Sequence, residues 1–167
     1  MNNIIFLDID GVLNHLNLFK QTKDIKINYY KCFKDESYMY KLLFHLIDID
    51  PNKLYLLKEI IQETNSKVVV TSSWRMLKIY PLIEDYLINK GIPIIDTTDY
   101  INSNRGDEIR EYLKNHTVDN FIIIDDDVFP DFNELTENLI HTNFFNDGLR
   151  DEDVYEAIYR LKKLDKK

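Results

Sequence analysis

Little in this sequence would staple the chain or anchor it. Cys32 is the only cysteine, which excludes a disulfide framework and a zinc site built from cysteines. A reducing, cytoplasmic compartment is the expectation that follows. No run reaches the roughly 18 apolar residues of a membrane span, so none is expected. The opening MNNIIFLDIDG has no basic n-region and meets acids at once, so no signal peptide is expected either. Internal repeats and linker-like stretches are also missing. Alanine occurs once, at Ala157, beside abundant Ile, Asn, Lys and Tyr, a bias that points to base composition rather than to function. What is present suffices for one core: 44% of 167 residues are hydrophobic and 30% charged. That balance excludes a disordered chain, and the length suits one domain better than two.

Positive charge is scarce except in one place. The net charge is −8, which argues against generic coating of nucleic acid by the molecule as a whole. Residues 15–47 nevertheless hold Lys20, Lys23, Lys26, Lys31, Lys34 and Lys41 against three acids, a balance of +3 that leaves −11 for the rest. The same stretch carries seven aromatics: Phe19, Tyr29, Tyr30, Phe33, Tyr38, Tyr40 and Phe44. Lysines of this kind can track phosphates while aromatics stack bases. The plainer reading is that the rings pack the segment onto the core and the lysines are solvated.

Short β-branched apolar runs predict buried strands at Ile4–Leu7, Val68–Val70 and Phe121–Ile124, with weaker ones at Pro93–Ile95 and Leu139–Ile140. Helical spacing appears after Pro51 (Leu54, Leu57, Ile61), at Ile79–Tyr86 before a cap at Gly91, around Ile109–Leu113, and at Val154–Leu161. From residue 51 onward strand and helix alternate. The pattern predicts an α/β fold: a doubly wound, Rossmann-like parallel sheet of about five strands with helices on both faces. Residues 14–50 break the alternation, so one domain spanning residues 1–167 with a small insertion after the first strand is expected.

Ligands of such sheets bind beyond the C-terminal ends of the strands. The first strand ends in Asp8-Ile9-Asp10-Gly11, the second in Thr71-Ser72-Ser73, the fourth in Asp125-Asp126-Asp127. Carboxylates gathered this way repel one another, and a hard divalent cation relieves them; oxygen ligands with room for water suit Mg²⁺. Arg105 lies near the start of the helix around Ile109 and can supply positive charge.

The ordered set resembles the haloacid dehalogenase (HAD) superfamily of phosphohydrolases, from residue 4 to about residue 161. The four motifs stand here as IIFLDIDGVLN, VVVTSSWR, Arg105 in NRGDEIREYL, and IIIDDD. The resemblance, which extends to the small-cap HAD phosphatase domains of polynucleotide and RNA repair proteins, implies the following roles. Asp8 is the nucleophile that becomes an aspartyl phosphate. Asp10 protonates the leaving oxygen and then deprotonates the hydrolytic water, and Gly11 lets the backbone turn that second carboxylate back. Mg²⁺ sits on Asp8, the Asp10 carbonyl, and Asp125 or Asp126. Thr71, with Ser72 or Ser73 sharing its work, binds phosphoryl oxygens beside Arg105; Arg75 sits where some relatives place a phosphate-binding arginine. The implied substrate is a phosphate monoester, with 3′-phosphate ends of nucleic acid favoured by the lysine-aromatic insertion and a small nucleotide as the rival. A receiver-type phospho-acceptor module is the non-enzymatic alternative, although its acids follow a different strand order. His15, His45, His116 and His141 lack ligand spacing and read as structural, and Trp74 reads as packed against the sheet.

Overall fold

Side chains along the first strand, β1 (Asn3–Leu7), alternate between two interiors. Ile5 and Leu7 enter one apolar cluster, whereas Ile4 and Phe6 enter another. A strand buried on both faces must lie at the centre of a sheet with helices on either side. In the computed structural model, which describes residues 2–32, 37–102 and 104–163, it does. The strands β2 (Lys67–Val70), β3 (Ile94–Thr97), β4 (Asn120–Asp125) and β5 (Leu139–His141) join β1 in the order β3-β2-β1-β4-β5, all parallel. The fold is a doubly wound α/β sheet.

One face is covered by α3 (Pro51–Thr64), α4 (Tyr80–Asn89) and α6 (Asp151–Lys163) through Leu57, Ile60, Ile83, Leu87, Ala157 and Leu161. The first of these starts as its sequence suggests. Asp50 caps it by accepting from the Asn52 amide at 2.8 Å, and Pro51 occupies the first turn, where no amide hydrogen is needed. The opposite face is covered by α5 (Arg105–Asn115) through Ile109 and Tyr112, together with Phe132 and Leu135. From residue 51 onward strict alternation fails once. The crossover from β4 to β5 contains only a 3₁₀ turn at Asn133–Asn138, because residues 126–138 carry Pro130 and several acids but no apolar periodicity.

The insertion is a pair of helices, α1 (Leu16–Cys32) and α2 (Tyr38–Leu46). It is thinly packed: among the described residues α1 buries only Thr22, and α2 buries none fully. Lys26 explains much of its chemistry. The ammonium lies 4.8 Å from the Phe19 ring centre and 4.1 Å from that of Phe44, and it pairs with Asp48. Tyr40 packs against Phe44, and the Tyr38 hydroxyl donates to the Lys78 carbonyl at 2.8 Å. These rings serve the hairpin and its attachment, while Tyr30 is 66% exposed. Phe33 and Lys34 lie outside the described residues. No helix among the described residues is long and apolar enough to cross a membrane.

Candidate active site

The strand order reverses its direction of growth at β1, so a crevice opens between the ends of β1 and β4. Asp8 is the first residue past β1, and its amide still donates to the Ile124 carbonyl at 3.0 Å. Asp125 ends β4, and Asp126 follows it. One carboxylate oxygen from each of Asp8, Asp125 and Asp126 lies within 4.8 Å of the other two. Asp127 is exposed, and its backbone amide rather than its carboxylate reaches the group, donating to Asp125 Oδ1 at 3.0 Å.

Arg105 opens α5 and enters this cluster. Its Nη1 donates to Asp125 Oδ2 at 2.9 Å, to Thr71 Oγ1 at 2.9 Å and, more weakly, to Asp8 Oδ1 at 3.4 Å. The Phe129 ring supports the guanidinium at 5.0 Å. One cation does not balance three carboxylates. Burial, then repulsion from Asp8, pushes Asp125 up to about 8. The same two causes push Asp126 to about 6. Burial raises Asp8 as well, against the pull of Arg105. Hard, underneutralised oxygen donors at this spacing fit a divalent cation of the Mg²⁺ kind.

Asp10 is held differently. Asn14 Nδ2 donates to its Oδ1 and Trp74 Nε1 to its Oδ2, both at 2.8 Å, while Asn14 Oδ1 accepts from the Gly11 amide at 2.8 Å. Gly11 has φ 63°, and a Cβ there would lie 2.1 Å from Asp126 Cγ. Only glycine satisfies both conditions. We expect Gly11→Ala to lower the melting temperature well beyond the effect of Gly91→Ala. Both positions have positive φ, worth about 1–2 kcal/mol, but a Cβ at Gly91 meets only the flexible Lys58 side chain, at 3.8 Å. Equal losses in thermal melts would show that the Asp126 contact does not matter.

The hydroxyls after β2 divide their work. Thr71 and Ser72 are fully buried. Thr71 accepts from Arg105, and the Ser72 hydroxyl helps hold the Asp8 carboxyl down against the effect of burial. Ser73 is the exposed one, and it lines the cavity of about 480 Å³ above the acids. Arg75 also borders that cavity, but its donors are directed into the protein: to the carbonyls of Thr71, Ser72 and Thr98 and to Glu108 Oε2 at 2.7 Å. It fastens the ends of β2 and β3 to α5. Removing one partner of so buried a pair costs about 3–5 kcal/mol.

Sequence reasoning passed over Asn14 and Glu108, and took Trp74 for packing alone. A polar residue four after Asp10 was the one available sign of Asn14. The contact from Trp74 spans 64 residues and leaves no local trace. The histidines stay outside the acid cluster's side chains: His15 bridges Asp50 and Asp147, His116 stacks on Tyr112, His45 packs edge-on against Trp74, and His141 bonds the Asp126 carbonyl.

The family described as the HAD domain in Swiss Army Knife RNA repair proteins matches residues 4–154. The chain belongs to that family. No curated protein and no solved structure gave a match. The HAD domain is a hydrolase of the HAD type, and the match runs through all four motifs and the helical insertion. The receiver alternative falls with this assignment, consistent with the acids here following β1 and β4.

Proposed function

We propose that this HAD domain is a Mg²⁺-dependent phosphomonoesterase that removes 3′-phosphates from nucleic-acid ends. The convergence of Asp8, Asp125 and Asp126 around one arginine carries the reading. Asp8 attacks phosphorus and forms the acyl phosphate as the ester oxygen leaves. Asp10 gives that oxygen its proton, then takes one from the water that cleaves the acyl phosphate, returning both carboxylates to their starting state. Its two neutral donors, Asn14 and Trp74, fix where the proton is delivered. Arg105 meets the charge on the phosphoryl oxygens, and Ser73 offers a hydroxyl from the cavity wall. Asp8, Asp125 or Asp126, and the Asp10 carbonyl would hold Mg²⁺, which when bound screens carboxylate from phosphate.

Nucleic acid as substrate is supported by the family's occurrence in RNA repair proteins and by the positive balance of the insertion. The rival, a small nucleotide, draws on a different observation: the arginines bordering the cavity are both paired with acids. The test compares kcat/KM for a 3′-phosphorylated oligonucleotide and the matching mononucleotide at two salt concentrations. A preference for the oligomer is expected, eroded by salt and lost when Lys31, Lys34 and Lys41 become Glu. Equal, salt-insensitive efficiency would assign the enzyme to small nucleotides.

A further inference from the structure

The catalytic cavity is acidic at its floor and apolar at its mouth. Phe145 is 72% exposed, Met76 61% and Tyr100 55%, and all three border the cavity. Phe129 lies under Arg105, and Phe144 packs edge-on against Phe19 of α1 at 5.2 Å. Phe145 touches Phe144 at 5.5 Å and otherwise faces water.

The loop carrying Phe145 is held from several sides. Asn143 Oδ1 accepts from the amides of Phe145 and Asn146 at 2.8 and 3.2 Å. Asp147 adopts φ 80°, a left-handed conformation that strains a non-glycine residue. It is tied there by two buried side chains, Lys53 at 3.0 Å and His15 at 3.1 Å. Thr142 donates through its hydroxyl to the Gly11 carbonyl at 2.8 Å and through its amide to the Asp125 carbonyl at 3.0 Å. The Leu149 amide reaches the Val12 carbonyl at 3.1 Å. The loop is thus registered against both strand ends that carry the catalytic acids, and Phe145 is presented to solvent from a fixed base. Strain maintained beside a site, with a large ring exposed on a fixed base, suits a ligand contact.

The cavity's arginines, Arg75 and Arg105, are paired with carboxylates. No free arginine is thus offered to the group attached to the phosphate, and the large exposed apolar surfaces at the border are Phe145, Met76 and Tyr100, beside the Ser73 hydroxyl and the Asp127 carboxylate. We propose that Phe145, which borders the cavity together with Tyr100 and Met76, forms a stacking subsite for the base of the nucleotide that bears the phosphate. This rests on the phosphomonoesterase reading and narrows it to esters whose terminal residue carries a base. Recognition is tolerant of which base, because each has a π face.

The experiment measures binding and turnover separately. A 3′-phosphorylated RNA pentanucleotide is compared with the same oligomer lacking its terminal base, with Mg²⁺ present. Affinity is read calorimetrically on Asp8→Asn, and hydrolysis on the wild type. The base should tighten binding roughly 5- to 150-fold, the equivalent of about 1–3 kcal/mol per stacked base. Adding Phe145→Ala should bring the ratio close to one, and Phe145→Trp should restore it. An equal affinity for both oligomers, no binding of either, or a ratio unchanged by Phe145→Ala overturns the subsite. So does Phe145→Trp behaving like Phe145→Ala, or a stable dimer that covers the rim. If the base-bearing oligomer binds more tightly yet neither is hydrolysed, the catalytic reading falls and the subsite stands.

Discussion

Asp8→Asn is expected to abolish phosphatase turnover, by about 10³-fold or more, while the protein stays folded. The asparagine keeps the size of the side chain and removes a charge that burial already disfavours. Arg105 is not orphaned by the change, since its 2.9 Å contacts to Asp125 and Thr71 remain. Melting in the absence of divalent ions should therefore occur no lower than in the wild type. Steady-state rates on a 3′-phosphorylated oligonucleotide, set beside thermal melts of the two proteins, make the comparison. Undiminished turnover in Asp8→Asn would remove Asp8 as the nucleophile.

Addition of Mg²⁺ should raise the wild-type melting temperature, because an ion bound to the native state alone stabilises it by about 2.7 kcal/mol at a hundred times its Kd. The double variant Asp125→Ala, Asp126→Ala should lose this response. The pH dependence follows from the sign of the shifts. Both acids are raised in the folded protein, Asp125 to about 8 and Asp126 to about 6, above the roughly 3.9 of an unfolded aspartate. The native state therefore holds protons that the unfolded chain has released. The stability they contribute is fully present below about pH 4 and is lost as pH rises through about 6 and about 8. In EDTA the wild type should melt progressively lower across that range, and the double variant should show a flatter profile. Mg²⁺ competes with those protons, so its stabilising effect should be largest at the alkaline end. A double variant that still responds to Mg²⁺ would put the ion elsewhere, and a flat wild-type profile in EDTA would mean the carboxylates are better compensated than their surroundings indicate.

The parts of the molecule legible in the sequence are those whose physics is local. β1, β2 and β4 are buried on both faces, so IIFL, VVV and FIII announce themselves as apolar runs. The acids are legible for the same reason, since each directly follows a run that aims it at the rim. β3, at the sheet edge and half exposed, left only a faint sign. Adjacency to β2 marked Thr71, Ser72 and Ser73 alike, but the chain's exit from the strand buries the first two and turns the third outward. For the aromatic insertion two readings stood, base stacking and, the plainer, packing; Phe19 and Phe44 pack around Lys26, and the most exposed ring bordering the cavity is Phe145, in a loop without periodicity. Contacts such as Trp74 to Asp10 depend on where two distant loops meet, which no window of sequence contains.

Trp74 is the only tryptophan in the chain, and its indole N–H is bonded to Asp10 at 2.8 Å. The intrinsic ultraviolet emission of the protein therefore originates, for its indole part, beside the carboxylate to which we assign the proton transfer. Loss and recovery of the Asp10 proton would change the strength of that hydrogen bond and the charge beside the ring. Stopped-flow fluorescence would then follow both proton transfers during a single turnover, with no label attached.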